Sequence, residues 1–178
     1  EIERVARANA NVVHCPESNL KLASGLCAVD KLMQAGINVA IGTDGAASNN
    51  DLSVLGDTRT ASLLAKGIAG DATALPAARA LQMATLGGAR ALGMAERIGS
   101  LEQGKRADLT AVDLSALETQ PIFDPISQLI YAASSRQVSD VWIDGVRRLR
   151  EGELTSLDID EVTAKTAAWG ARMREVNP

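Results

Sequence analysis

Histidine is almost missing from this 178-residue chain, where His14 stands alone. Zinc enzymes usually draw on two or three imidazoles, so the chain by itself cannot complete a histidine-based metal site. Cysteine is nearly as scarce. Cys15 and Cys27 are too few for a disulfide scaffold, and the eleven residues between them match no zinc-finger spacing. Both read as free thiols in a reducing compartment, and a cytoplasmic location is expected. No apolar stretch approaches the ~20 residues that span a bilayer, and the charged-then-apolar pattern of an export signal does not occur, so no membrane partner is expected. There is no run of Lys or Arg either. The balance of 18 basic against 22 acidic side chains leaves a net charge of −4, which argues against a nucleic-acid surface. Neither the glycine-rich dinucleotide fingerprint nor the phosphate-binding loop ending in Lys-Ser/Thr is present. Aromatic residues number four, Phe123, Tyr131, Trp142 and Trp169, all in the last third, so the two regions of the chain build different cores.

What is present, 46% hydrophobic and 22% charged residues, is ordinary for a soluble globular protein. Ile2, Val5 and Ala6 recur at helical spacing, and Val12-Val13-His14 reads as a short buried strand. Pro16 and the polar run Glu17-Ser18-Asn19 predict a loop after it. A helix follows with Leu26, Val29, Leu32 and Met33 on one side and Gly36 as its stop. Ile37 to Ile41 is the next strand, closed by Gly42-Thr43-Asp44-Gly45. Strand, loop, helix, strand and loop at this spacing make the two strands parallel neighbours. Leu52 to Leu92 is helical, with interruptions expected at Gly67 to Asp71 and near Gly87-Gly88.

The texture changes from Gly99. Ala107 to Val112 alternates weakly, and Val138 to Ile143 joins Val146 to Leu149 through Asp144-Gly145, a hairpin signal. Asp158, with Glu161 three residues later, opens a final helix to about Val176. Two parallel strands with crossover helices are not a stable α/β domain, since such sheets are covered on both faces and have more strands. The chain is therefore expected to be a fragment, the tail of a sheet or barrel whose first strands precede it.

Two polar loops follow the C-terminal ends of the predicted parallel strands, His14 to Asn19 and Gly42 to Asn50. That edge is where ligands bind in α/β folds and where catalytic side chains converge in barrels. Asp44, between Gly42 and Gly45, is suited to ligating a metal, accepting a proton, or capping the next helix. A lone His at the end of an apolar strand, as His14 is, is more often a satisfied core or loop histidine than a ligand or acid–base group. Ser18 lacks the neighbouring His and acid of a serine triad.

The string His14-Cys15-Pro16-Glu17-Ser18-Asn19-Leu20-Lys21-Leu22-Ala23-Ser24-Gly25, followed by Gly42-Thr43-Asp44-Gly45, resembles the amidohydrolase superfamily. Gly42 to Leu52 is most similar to its methylthioadenosine/S-adenosylhomocysteine deaminases. Ala84 to Gly93 resembles the helix after the last barrel strand, and Ile98 to Leu109 the return to a small β-domain. The resemblance implies an α/β fold, the C-terminal part of a (β/α)8 TIM-type metal-dependent hydrolase barrel plus a small composite β-sandwich. Residues 1–95 would hold the last barrel strands and helices, 96–155 the β-domain and 156–178 the C-terminal helix. It further implies Zn2+, or another divalent transition metal, and water attack on an adenosine derivative, whether S-adenosylhomocysteine, 5′-methylthioadenosine or adenosine, releasing ammonia. Asp44 would then be metal ligand, catalytic proton acceptor and substrate contact, with His14, Ser48 and Asn49 as further substrate-binding residues. The family's His-x-His pair, third metal histidine and nearby glutamate do not occur here. They are expected in the missing N-terminal half of the same protein, and a homo-oligomer is expected. The alternatives are another amidohydrolase (a guanine or cytosine deaminase, or a chlorohydrolase) and a non-catalytic assembly protein of the same fold.

Overall fold

The structure is a computed structural model and describes residues 1–176. Helix α1 (Ile2–Arg7) leads into strand β1 (Val12–His14), helix α2 (Pro16–Lys21), helix α3 (Val29–Gln34) and strand β2 (Val39–Ile41). The two strands pair in parallel, Val12 beside Val39, Val13 beside Ala40 and His14 beside Ile41. Partners in register point to the same face. Val39 and Ile41 therefore share a face with Val12 and His14, and it packs on Val29 and Leu32 of α3. Val13, on the other face, is 56% exposed.

The segment expected as a loop after β1 is helical. Pro16 stands in the first turn of α2, where its fixed φ is preorganised and its missing N–H costs nothing, and Glu17 follows where the helix dipole favours an acid. The next helix is shorter than the apolar spacing implies. Leu26 is exposed and α3 begins at Val29, and β2 begins at Val39 instead of Ile37.

After β2 come α4 (Ala46–Asn49), α5 (Val54–Ala69), α6 (Ala77–Gln82), a π-helical turn (Met83–Gly87) and α7 (Gly88–Ala91). Ser53 caps α5 by accepting from the Gly56 N–H at 3.1 Å. The helix passes through Gly67 and stops one turn later, with Gly70 left-handed at φ +63°. The glycine pair at 87 and 88 causes no break, because the π turn runs directly into α7. A Cβ on Gly87 would lie 2.9 Å from the Val39 carbonyl oxygen, so glycine lets this turn lie on the backbone of β2. The core here joins Val29, Leu32, Ile37, Val39, Ile41, Ala61, Ala65, Leu75, Ala80 and Met83, wholly without aromatic rings.

The later region holds an antiparallel sheet in the order β3 (Leu109–Val112), β4 (Val138–Ile143), β5 (Val146–Arg150), β6 (Glu153–Leu154). Asp144 and Gly145 both have positive φ, +52° and +78°, as a two-residue hairpin of the primed type demands. Helix α8 (Pro125–Tyr131) ties this region to α5. Arg59 Nε donates to the Ile130 carbonyl at 3.0 Å, and the Ser62 and Tyr131 hydroxyls lie 2.8 Å apart. Helix α9 (Ile159–Val176) starts as its sequence suggests, with Asp158 accepting from the Glu161 N–H at 3.0 Å. No helix among the described residues is long and apolar enough to cross a membrane.

Candidate metal centre

The C-terminal ends of β1 and β2 lie side by side, and Gly42 N–H donates to the His14 carbonyl at 3.0 Å. A Cβ on Gly42 would stand 2.8 Å from Val13 Cγ1 and 3.1 Å from Cys15 Sγ, so a glycine lets the chain leave β2 closely against β1. Two residues on, Asp44 adopts φ +61°, a left-handed conformation that aspartate tolerates better than most residues. Its carboxylate is held from both loops. Ser18 Oγ of α2 and Ser48 Oγ of α4 each donate to Oδ2 at 2.9 Å, which leaves lone pairs on Oδ1 for a further partner. The hydrogen bonds from Ser48, then Ser18, then the Gly45 N–H hold the carboxyl below its ordinary range. It is therefore ionised at neutral pH, and it is exposed.

Behind this carboxylate sits a second polar layer. Asp57, in the first turn of α5, is 0% exposed. It accepts from the Glu17 N–H at 3.1 Å on Oδ1 and from Asn49 Nδ2 at 2.9 Å on Oδ2. Burial pushes the Asp57 carboxyl up, and the Glu17 N–H opposes the shift. Asn49 Oδ1 accepts from the Leu52 N–H at 2.9 Å, and Thr60 Oγ1 donates to Glu17 Oε1 at 2.8 Å. Lys21 Nζ donates across the same gap to the Ala47 carbonyl at 3.0 Å and to Asn50 Oδ1.

Of the residues picked from sequence, Asp44 and Ser48 come together directly. Asn49 is buried with both polar ends of its side chain occupied by protein groups. His14 shares the strand edge, but its register with Ile41 places the ring on the helix-packed face, where it is 3% exposed. Its Nδ1 is buried without a hydrogen-bond partner, and burial lowers its pKa. Cys15 and Cys27 are free thiols, as expected. Sequence reading weighed Ser18 only as a nucleophile and missed its bond to Asp44. It also missed Asp57, although a signal exists. Asp57, Ala61 and Ala65 recur at i, i+4 and i+8 on one buried stripe of α5, and a carboxylate in such a stripe asks for polar partners.

A zinc site requires about four ligands, and among the described residues no three of His, Cys, Asp or Glu gather as a cation site. Asp44, ionised, exposed and clamped on one oxygen, fits a single anionic ligand in such a set.

Residues 1–148 match the amidohydrolase family. A 5-methylthioadenosine/S-adenosylhomocysteine deaminase of Moorella thermoacetica is 52% identical over 165 residues, 93% of this chain and 39% of that protein. Among solved structures, a zinc-bound adenosine deaminase from Xanthomonas campestris superposes with a TM-score of 0.95 at 57% identity, over 98% of this chain and 40% of its own. A zinc complex of an atrazine chlorohydrolase from Arthrobacter aurescens gives a TM-score of 0.88 at 31% identity, over 94% of this chain and 37% of its own. The chain thus spans about 39% of the length of the curated relatives it matches.

Proposed function

The chain belongs to the amidohydrolase family, and from that premise we propose that it forms the end of a zinc-dependent (β/α)8 barrel deaminase. The substrate is an adenosine derivative, S-adenosylhomocysteine, 5′-methylthioadenosine or adenosine, which is hydrolysed to the inosine derivative and ammonia. The observation that carries this reading is the Asp44 carboxylate, ionised and clamped by Ser18 and Ser48 at the C-terminal edge of two parallel strands. That edge is where barrels place their chemistry. The high identity to methylthioadenosine/S-adenosylhomocysteine deaminases supports the substrate class. In this reading β1 and β2 are the final barrel strands within residues 1–95. The antiparallel sheet of residues 96–155 is one layer of a composite β-sandwich, and 156–178 is a closing helix. The imidazole ligands lie outside these 178 residues.

Asp44 would hold the metal through its carboxylate. A bound zinc ion supplies Lewis acidity that brings a water's pKa from 15.7 toward ~7. Asp44 orients the attacking water at C6 of the purine and takes its proton as the C–O bond forms. The C6=N1 electron pair moves onto N1 as that bond forms. Asp44 then passes the proton to the amine, the C–N bond breaks as the ring double bond re-forms, and the 6-hydroxyl product tautomerises to the inosine derivative. The serine bonds that lower its pKa make Asp44 a firm ligand and a brief proton carrier, because the amine is far more basic. Such proton transfer is worth about 10²–10⁴-fold in rate. Ser48 fixes the carboxylate, and Asn49 and the neutral His14 are assigned to supporting the loop and strand edge.

The test is Asp44→Asn in the full-length protein, which keeps shape and removes charge and proton acceptor. Ammonia release from S-adenosylhomocysteine is expected to vanish while circular dichroism is unchanged. Near wild-type turnover refutes the assignment. Guanine in the same assay, and chloride release from a chlorotriazine, separate this reading from its nearest alternatives.

A further inference from the structure

We propose that Asp57 is a positioning residue for the Asp44 carboxylate, fixing through Glu17 and Asn49 the two helices whose serines hold that carboxylate. The inference rests on Asp44 being a metal ligand. Its basis is an adjacency repeated on both sides of the site. Oδ1 of Asp57 takes the Glu17 N–H at 3.1 Å, and the next residue, Ser18, donates to Asp44. Oδ2 takes Asn49 Nδ2 at 2.9 Å, and the preceding residue, Ser48, donates to Asp44. One buried carboxylate thus anchors the neighbour of each serine, and moving either anchor moves a donor off Oδ2.

The loop needs such an anchor. Asp44, Asn50 and Leu52 have φ of +61°, +82° and +55°, strained values that persist only where surroundings impose them. Packing alone does not account for Asp57. The same buried stripe carries alanine at 61 and 65, a carboxylate there must be desolvated, and among the described residues no Lys or Arg forms an ion pair with it. Partners behind a metal ligand orient it, and their loss typically costs about 10–100-fold in metal affinity.

The test exchanges the two side chains in the full-length protein. Asp57→Asn alone sets an amide N–H against one of two donors, and Asn49→Asp alone sets two carboxylates face to face. Made together, the substitutions restore every bond. The new amide at 57 accepts from the Glu17 N–H and donates to position 49, whose carboxylate still accepts from the Leu52 N–H. Zinc affinity is read by competition with a chromophoric chelator, ligand geometry by visible absorption of the cobalt-substituted protein, and folding by circular dichroism without metal. Each single variant is expected to bind zinc about 10–100-fold more weakly with altered cobalt bands, and the exchange to return both toward wild type. Should Asp57→Asn not fold, Asn49→Ala, which leaves the Glu17 bond intact, carries the same expectation. Folded single variants with wild-type affinity and bands, or a folded exchange no better than the worse single, overturn the proposal. Asp44→Asn is measured alongside. If it keeps zinc, the ligand reading beneath the proposal fails, and if it loses zinc while the position-57 and position-49 variants do not, only the positioning role fails.

Discussion

Removing the two serine hydroxyls from Asp44 tests whether the carboxylate is tuned by charge or by orientation. Ser48→Ala, Ser18→Ala and the pair strip donors from a single oxygen, Oδ2, each at 2.9 Å. Both bonds lower the Asp44 pKa, Ser48 more, so each removal raises it toward its ordinary 3.8. Even that unshifted value is some three units below neutrality, so the group stays ionised at pH 7 in every variant. A protonation account therefore predicts no change at neutral pH. Orientation predicts one, because a carboxylate released on one side rotates and no longer presents Oδ1 in a fixed direction. Outer-layer losses of this kind cost about 10–100-fold in metal affinity. A single alanine leaves one donor behind and is expected near the lower bound, about 10-fold, and the pair near the upper bound, about 100-fold. Below pH 5 the pair should lose zinc more steeply than wild type, since a raised pKa lets protons compete earlier. The assay is chelator competition from pH 4.5 to 8 on the full-length protein. Wild-type affinity of the pair at pH 7, or a loss confined to acid, refutes the orientation argument.

Gly99→Ala tests the join between the helical and β regions. The new Cβ would stand 2.6 Å from Ala89 Cβ and 3.0 Å from Leu86 Cα, at φ +91°. Overpacking of about 1–3 kcal/mol adds to left-handed strain of about 1–2 kcal/mol. A loss of about 2–5 kcal/mol is expected in urea unfolding, part of it relieved by Ala89→Gly, and a loss under about 1 kcal/mol contradicts the packing. His14 gives a pH test. Burial lowers its folded pKa below 6.5, so in the window below 6.5 the unfolded chain binds the extra proton and stability falls as pH falls. His14→Gln removes that dependence, so the difference in urea midpoint between variant and wild type should grow in the variant's favour from pH 7.5 to 5. A difference flat with pH rules out the buried neutral ring.

Much of the fold was legible because its signals are local. The hairpin at Asp144-Gly145 and the cap at Asp158 rest on residues close in sequence, and the parallel pairing of β1 with β2 follows from the strand–helix–strand order of the chain. The misread segments are those where local chemistry is ambiguous. Pro16-Glu17-Ser18-Asn19 has turn composition, yet a proline followed by an acid also opens a helix, and only contacts with α4 and α5 decide between the two. The break expected at Gly67 to Asp71 is present, and it falls at Gly70 because Ala61 and Ala65 packing in the core carries α5 past Gly67, which outweighs the roughly 1 kcal/mol a helical glycine costs.

The site divides along the same line. The string Gly42-Thr43-Asp44-Gly45 after an apolar strand determined that a carboxylate would stand at a strand end, and the solitary His14 determined that these residues alone would not complete a histidine metal site. Which groups hold that carboxylate was decided only in three dimensions. Ser18 lies 26 residues before Asp44, and Glu17 and Asp57 are 40 apart. No periodicity links positions so distant. Their bonds exist because parallel pairing of β1 and β2 brings two loops to one edge, and because α5 folds back to bury a charged group beneath them.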